Sequence, residues 1–366
     1  MKNKIKIYIF HPYSKIGGAD LSISRLINNL STDEFDIDFL FLNKQKLNKY
    51  INKGKVNFIN IRSKRSLFSV AKIRNYLIKD KQRKYKKYIF LSNQNFANVI
   101  SFIILFKLNW IKQILIERNH IDEFKFNFSL KNQIILLLMK LLYKKSDAIV
   151  GISKKLSKDL SNFTGKKCTT IYNPAFDKNI FKLSKKKILL KRQKNTILAI
   201  GRLEVQKDMI TILKAFKNIL DKINSNLIII GYGSQLNILK DYIKTNNLKN
   251  SVKILKNIRN AFPYYKLADT FVLSSKYEGF GNVLVEAAMF KKSIISTNCN
   301  SGPKEILLNG RYGQLFDVGD HKKLSKQMLK SLKYKDLYNK NDLYKSLERF
   351  SVKQNISNYT KLFKKI

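Results

Sequence analysis

Residues 271–292 read FVLSSKYEGFGNVLVEAAMFKK, and this stretch decides the fold. Phe271 to Ser275 is apolar and β-prone, the pattern of a buried strand. Gly279 and Gly281 frame a turn at which backbone can pass close to a ligand. From Asn282 onward the residues are those of an apolar helix. A strand that runs through a glycine turn into a helix leaves the helix's first N–H groups facing the turn, where they favour a phosphate. Two acids flank that turn, Glu278 on the loop and Glu286 about one turn into the helix. So placed, they do different work: one stands near a reacting group, the other on a neutral, hydroxyl-bearing part of the ligand.

The same alternation runs outward in both directions. Strand candidates in the first half are residues 5–10, 35–42, 55–60, 87–92, 112–117, 147–152 and 168–173. In the second half they are 196–201, 227–233, 252–256, 270–275, 293–297 and 312–316. Helix-length amphipathic segments separate them, so the fold class is α/β, with parallel sheets covered on both faces. A length of 366 residues suits two domains. The Lys- and Arg-dense stretch 177–195 reads as the linker between residues 1–176 and 196–345. Two doubly wound, Rossmann-like domains facing a central cleft are expected, with ligands at the carboxyl ends of the strands.

Several motifs fall at such strand ends. Gly17 and Gly18 follow the first strand and precede a helix starting near Ala19 or Asp20, a turn that admits a pyrophosphate or sugar to the backbone. Lys15 would be a nearby cation. Arg202 and Lys207 follow strand 196–201 and can hold a diphosphate while charge builds on it. Gly231 and Gly233 mark either another ligand turn or a plain tight turn. Glu117, Arg118, Asn119 and His120 end strand 112–117. His120 has the pKa range for acid–base work, but either it or Arg118 could be the functional residue there, and a lone His could equally be structural.

The context Ser-Ser-x-x-Glu-Gly-Phe-Gly-Asn-Val-Leu-x-Glu resembles the Glu-x7-Glu signature of the retaining glycosyltransferases of family 4, the glycosyl transferases group 1, which have the GT-B fold. Gly-Gly-Ala-Asp (17–20), Gly-Arg-Leu-x-x-x-Lys-Asp (201–208) and Ser-Gly-Pro-x-Glu-Ile (301–306) are similar to further elements of that family. The resemblance implies a nucleotide-sugar donor, UDP-linked, as substrate, no metal cofactor, and a glycan or polyprenyl-diphosphate-linked acceptor held by the first domain. It puts Glu278 by the donor sugar, Glu286 on the ribose, and Arg202 and Lys207 on the leaving diphosphate. Asn257 and Ile258 would hold the base, and Gly17, Gly18 and the turn Gly279, Phe280, Gly281, Asn282, Val283 and Leu284 the diphosphate and sugar. Residues 346–366 would form a C-terminal helix returning to the first domain. The family more often has Pro where Gly281 stands, which implies a looser turn here.

Composition sets further bounds. Hydrophobic residues make up 44% of the chain, too many for a disordered protein. Lys and Arg number 72 against 25 acids, a formal charge of +47 that draws anionic lipid or nucleic acid. Lys, Asn and Ile are abundant throughout, as A+T-rich codons produce, so charge alone assigns no partner. Two lone cysteines, Cys168 and Cys299, suit a reducing compartment and form no metal cluster. MKNKIKIYIF lacks the features of a signal peptide, and 88–106 carries too many amides for a membrane span. A cytoplasmic protein is expected, peripheral on the inner face of the plasma membrane. Residues 64–88 and 124–145 interleave cations with large apolar side chains, as helices lying on an anionic leaflet do, or as core-facing helices with solvated lysines do. A sugar-nucleotide epimerase on the same fold and a basic nucleic-acid-binding protein are the rival functions; no nucleic-acid motif supports the second.

Overall fold

The structure, a computed structural model, describes residues 4–12, 17–42, 49–52, 54–81, 85–126, 129–334 and 337–366, apart from the side chains of 125 and 126. Lys15 lies outside the described residues. The chain divides into two compact units, Met1–Pro174 with Phe350–Ile366, and Ala175–Arg349.

The first unit is built on seven strands: β1 (Ile5–Phe10), β2 (Phe35–Phe41), β3 (Asn57–Asn60), β4 (Lys87–Asn93), β5 (Ile111–Glu117), β6 (Ala148–Gly151) and β7 (Cys168–Thr170). They lie in the order β3-β2-β1-β4-β5-β6-β7 with every neighbouring pair parallel. β1 is buried at all six positions, as a central strand covered on both faces must be. Even Lys6 is buried there, and its ammonium is neutralised by Asp38 (2.8 Å) and Asp36 (3.1 Å). The C-terminal helix Val352–Lys365 starts at an N-capping Ser351 and packs beside helix Gly18–Asn29 of the same unit. Phe363 meets Phe35 edge-on at 5.8 Å.

The second unit holds β8 (Thr196–Ile200), β9 (Asn226–Ile230), β10 (Val252–Leu255), β11 (Thr270–Leu273), β12 (Ser293–Thr297) and β13 (Gln314–Phe316). Their order is β10-β9-β8-β11-β12-β13, again all parallel. Its core stacks β-branched and aromatic residues such as Ile197, Ile212, Phe216 and Ile229, all fully buried. Residues 175–195 belong to this unit: helix Asn179–Leu183 packs on helix Phe262–Leu267, and Phe181 meets Phe290 edge-on at 5.4 Å.

All thirteen expected strands are present, in a doubly wound topology, and most are shorter than their apolar runs. β9 ends at Ile230 because the backbone turns at Gly231 and Gly233. β11 ends at Leu273, which takes Ser274 and Ser275 out of the ladder and frees their hydroxyls to bond loops. In each sheet the strand order reverses at one place, between β1 and β4 and between β8 and β11. Chain connections leave in opposite directions there, so the two strand ends open a crevice. Among the described residues no helix is long and apolar enough to cross a membrane.

Candidate functional site

The reversal between β8 and β11 brings together residues that are far apart in sequence. The loop leaving β8 carries Arg202, Gln206 and Lys207; the loop leaving β11 carries Ser274, Ser275 and Glu278. Ser274 Oγ donates to the Lys207 carbonyl (2.7 Å), and the Lys276 N–H donates to the Gln206 carbonyl (2.8 Å). Gln206 Nε2 donates to the Tyr277 carbonyl (3.0 Å), and the Gln206 Oε1 accepts from Arg202 (2.9 Å). Lys207 Nζ is ion-paired with Glu278 Oε1, which also accepts from Ser275 Oγ (2.7 Å). Both members of that pair are largely buried. Arg202 is exposed, so its guanidinium remains open to a ligand phosphate on one side while Gln206 aims it.

Glycines make this stitching possible. A β-carbon on Gly231 would lie 1.9 Å from the Gly201 carbonyl oxygen, and one on Gly233 would lie 2.3 Å from that of Leu203. The Gly231–Gly233 turn is therefore the seat on which the Arg202 loop rests. Gly302 has φ +77°, and a β-carbon there would lie 1.9 Å from the Phe280 carbonyl oxygen. The Ser-Gly-Pro loop thus closes directly over the Glu-Gly-Phe-Gly turn, with Ser301 Oγ donating to the Glu278 carbonyl (2.5 Å).

Gly281 caps helix Asn282–Met289, whose N-terminus opens beside Glu278 in the chain. Glu286 sits on its second turn, and Glu286 Oε2 accepts from Tyr265 Oη at 2.9 Å. The Tyr265 ring is held by stacking on Phe290 (centroids 5.4 Å, planes 4° apart). Asn257 and Ile258 stand just past the end of β10, two strands from β8. Arg202, Lys207 and Glu278 are thus one bonded cluster, and Glu286 extends from the same turn with its own brace. Sequence reasoning missed Gln206, Ser275 and Tyr265.

The first unit has its own polar cluster at the β1/β4 reversal. Arg118 Nε donates to Asn93 Oδ1 (2.5 Å) and Arg118 Nη1 to Asn173 Oδ1 (2.8 Å). Asn93 Nδ2 lies 3.0 Å from His11 Nδ1, and His11 Nε2 lies 2.7 Å from Asp20 Oδ1. The other Asp20 oxygen accepts from the Gly17 N–H (2.8 Å), which locks the entry of helix Gly18–Asn29. Burial lowers the Arg118 guanidinium from its usual range and pushes the neighbouring Glu117 carboxyl up to about 7. His120 is buried off this chain of bonds, between Asp159 (2.7 Å) and Asp122 (3.1 Å). Of the two residues expected at this strand end, Arg118 joins the cluster and His120 is clamped by acids. His11, Asp20 and Asn93 were not singled out from sequence, although His11 is the first residue after a central strand.

Comparison with known proteins finds a family and a fold to which this chain is similar. The family model described as glycosyl transferases group 1 matches residues 181–351. A Methanocaldococcus jannaschii protein, named an uncharacterized glycosyltransferase, is 34% identical over 52% of this chain and 49% of its own. A Campylobacter jejuni N-acetylgalactosamine-N,N'-diacetylbacillosaminyl-diphospho-undecaprenol 4-alpha-N-acetylgalactosaminyltransferase is 31% identical over 55% of this chain and 56% of its own. The chain therefore spans about half the length of these curated relatives. The crystal structure of Anabaena HepE in complex with UDP-glucose superposes with a TM-score of 0.83, covering 99% of this chain and all of that one at 18% identity, which shows the GT-B fold.

Proposed function

Because the chain belongs to the glycosyl transferases group 1 family, we infer that it moves a sugar from a UDP-sugar donor to a hydroxyl of a glycan or lipid-diphosphate-linked acceptor, with retention of anomeric configuration. The observation that carries this reading is the Arg202–Gln206 and Lys207–Glu278 cluster at the β8/β11 reversal, with the helix bearing Glu286 beginning at the same turn. The names of the relatives support it: one transfers N-acetylgalactosamine to an undecaprenol-diphosphate acceptor, and one is solved with UDP-glucose.

In the reaction the bond from the sugar's C1 to the diphosphate oxygen breaks, and its electron pair stays on that oxygen. Two fixed cations stabilise the charge more in the transition state than in the ground state, which is what accelerates the step. Lys207 and Arg202 supply them, and the helix N-terminus adds its dipole. The acceptor oxygen forms the new bond to C1 and its proton leaves, with the departing phosphate oxygen as a base of the right charge. Glu286 takes a hydroxyl of the ribose in the carboxylate geometry that Tyr265 fixes. Glu278 stands by the donor sugar and holds Lys207 in place.

The test is a panel of UDP-glucose, UDP-galactose and their N-acetylhexosamine counterparts, read by thermal stabilisation and slow donor hydrolysis. At least one should stabilise the protein and be hydrolysed without acceptor. If neither UDP nor any of the panel shifts the melting temperature, the reading is wrong. Release of an epimerised UDP-sugar instead of free UDP would favour the epimerase.

A further inference from the structure

The polar cluster at the β1/β4 reversal has a direction. Arg118 Nε can only donate, so Asn93 Oδ1 accepts from it (2.5 Å). That sets the Asn93 amide: its Nδ2 faces His11 Nδ1 at 3.0 Å and can only donate. His11 Nδ1 therefore accepts and holds no proton, which leaves the ring proton on Nε2. His11 Nε2 in turn donates to Asp20 Oδ1 (2.7 Å), and Asp20 Oδ2 accepts from the Gly17 N–H (2.8 Å). The bonds run one way from guanidinium to carboxylate, and the carboxylate's second oxygen holds the glycine turn.

The four side chains come from separate elements. Arg118 follows β5, Asn93 ends β4, His11 follows β1, and Asp20 lies in the first turn of helix Gly18–Asn29. All are buried, His11 and Asn93 completely. The side-chain partners of Arg118 are two neutral amides, Asn93 and Asn173. A buried cation and a buried acid joined only through neutral groups cost folding energy that an apolar filling would not. What the arrangement supplies is orientation: with the cation in place, one tautomer of His11 satisfies every bond. Asp20 passes that setting to the backbone. By taking the Gly17 N–H it holds Gly17 extended (φ −150°, ψ −171°) and fixes where the helix begins. That point lies past the carboxyl end of β1, beside the reversal, where a doubly wound sheet takes its ligand.

We propose that Arg118 is a positioning residue of the transfer reaction: through Asn93, His11 and Asp20 it sets the Gly17–Gly18 turn without itself touching the donor. This deepens the transferase reading and rests on it. The cations assigned to the diphosphate, Arg202 and Lys207, belong to the other unit and take no part in the relay. Loss of the relay should therefore slow the step and spare nucleotide binding.

The experiment combines NMR of isotope-labelled histidine nitrogens with donor-hydrolysis kinetics on the full chain, using the UDP-sugar that the panel shows to be hydrolysed. His11→Gln assigns the His11 signals among the three histidines. In the wild type His11 should show a protonated Nε2 and a bare Nδ1. Arg118→Met fills the space without a donor, so Asn93 can turn round. It should give a mixture of His11 tautomers and lower kcat at least about tenfold, with the Kd for UDP within about twofold of wild type. Arg118→Lys keeps a cationic donor and should recover the tautomer and most of the rate. Asp20→Asn keeps the shape but cannot accept at both atoms, so it should lose kcat to the same degree; it decides the matter should Arg118→Met not fold. A wild-type His11 protonated on Nδ1 would reverse the chain and overturn the proposal. So would wild-type kcat in Arg118→Met and Asp20→Asn, or a loss of UDP affinity in Arg118→Met as large as its loss of kcat, which would put Arg118 on the ligand. A wild type that neither binds UDP nor hydrolyses any UDP-sugar would overturn the transferase reading itself, a result seen before any variant is compared.

Discussion

Lys207 and Glu278 are ion-paired across the β8/β11 reversal although 71 positions separate them, and each is mostly buried. A buried pair of this kind is costly to break from one side, because the remaining charge loses both water and partner. The pair also fixes the lysine: Glu278, itself held by the Ser275 hydroxyl, sets where its ammonium stands. Lys207→Ala should lower kcat/KM about 100-fold, the scale of removing one preorganised charge from a leaving group. Lys207→Arg keeps the charge and should recover part of the loss. Turnover of Lys207→Ala within about twofold of wild type would remove the lysine from the chemistry.

Glu286 and Tyr265 make a separable prediction. Glu286→Ala should raise KM for the UDP-sugar at least about tenfold with a smaller change in kcat, since ribose contacts are the same in ground and transition states. Tyr265→Phe keeps the ring stacked on Phe290 and removes only the hydroxyl that donates to Glu286. One hydrogen bond to a charged group is worth about 1.5 kcal/mol or more, so this variant should lose roughly tenfold in UDP affinity. Steady-state kinetics measure the first and calorimetric titration with UDP the second, and unchanged affinity in Tyr265→Phe would show that Glu286 needs no brace.

Much of this was legible in the chain, and the reasons differ by feature. Strand identity was readable because each β-strand is a short apolar run that only a two-faced buried sheet can use. The gathering of Arg202, Lys207 and Glu278 was readable because each follows a strand end at the β8/β11 reversal. Their partners were not. Gln206, Ser275 and Tyr265 act through atoms that converge only when loops from different strands meet, and no local spacing encodes that meeting. The exposed row Leu130, Ile134, Leu137 and Leu141 of helix Leu130–Leu142 shows a different limit. Sequence alone could not say which of a helix's two apolar faces was the core, because Ile135 and Met139 look the same as their exposed neighbours.

The glycines supply a contrast that tests the loop stitching. Gly302→Ala would force a β-carbon to 1.9 Å from the Phe280 carbonyl oxygen at a φ of +77°. The Ser-Gly-Pro loop would have to lift off the Glu278 turn, with a stability loss of about 2 kcal/mol or more and most activity gone. Gly17 sits in extended backbone, and the nearest atom to an added β-carbon is Asp20 Oδ2 at an ordinary 3.6 Å. Gly17→Ala should therefore fold with stability within about 0.5 kcal/mol of wild type. Urea melts of the two variants decide it: equal losses would show that the clash at Gly302 is relieved at no cost.

Glu117 gives the chain a pH signature in its first unit. The residue is 1% exposed, and burial raises its carboxyl from an ordinary 4.5 to about 7, against the opposing pull of the Tyr143 hydroxyl and the Arg118 N–H. A raised carboxyl pKa means that the folded state holds a proton which the unfolded chain has already released. Between pH 4.5 and about 7 the folded state therefore binds more protons, and stability falls as pH rises through that window. Each tenfold change in proton affinity is worth about 1.4 kcal/mol, so the loss has an upper limit of roughly 3 kcal/mol. Glu117→Gln keeps a side-chain oxygen to accept from Tyr143 and carries no charge at any pH. Its stability relative to wild type should be nearly level at pH 4.5, grow up to about pH 7 and level off above it, measured by urea unfolding from pH 4.5 to pH 8. A difference that stays flat over the whole range would mean that the carboxylate is ionised in the folded protein at no cost, and that its burial is compensated by the hydrogen bonds it accepts.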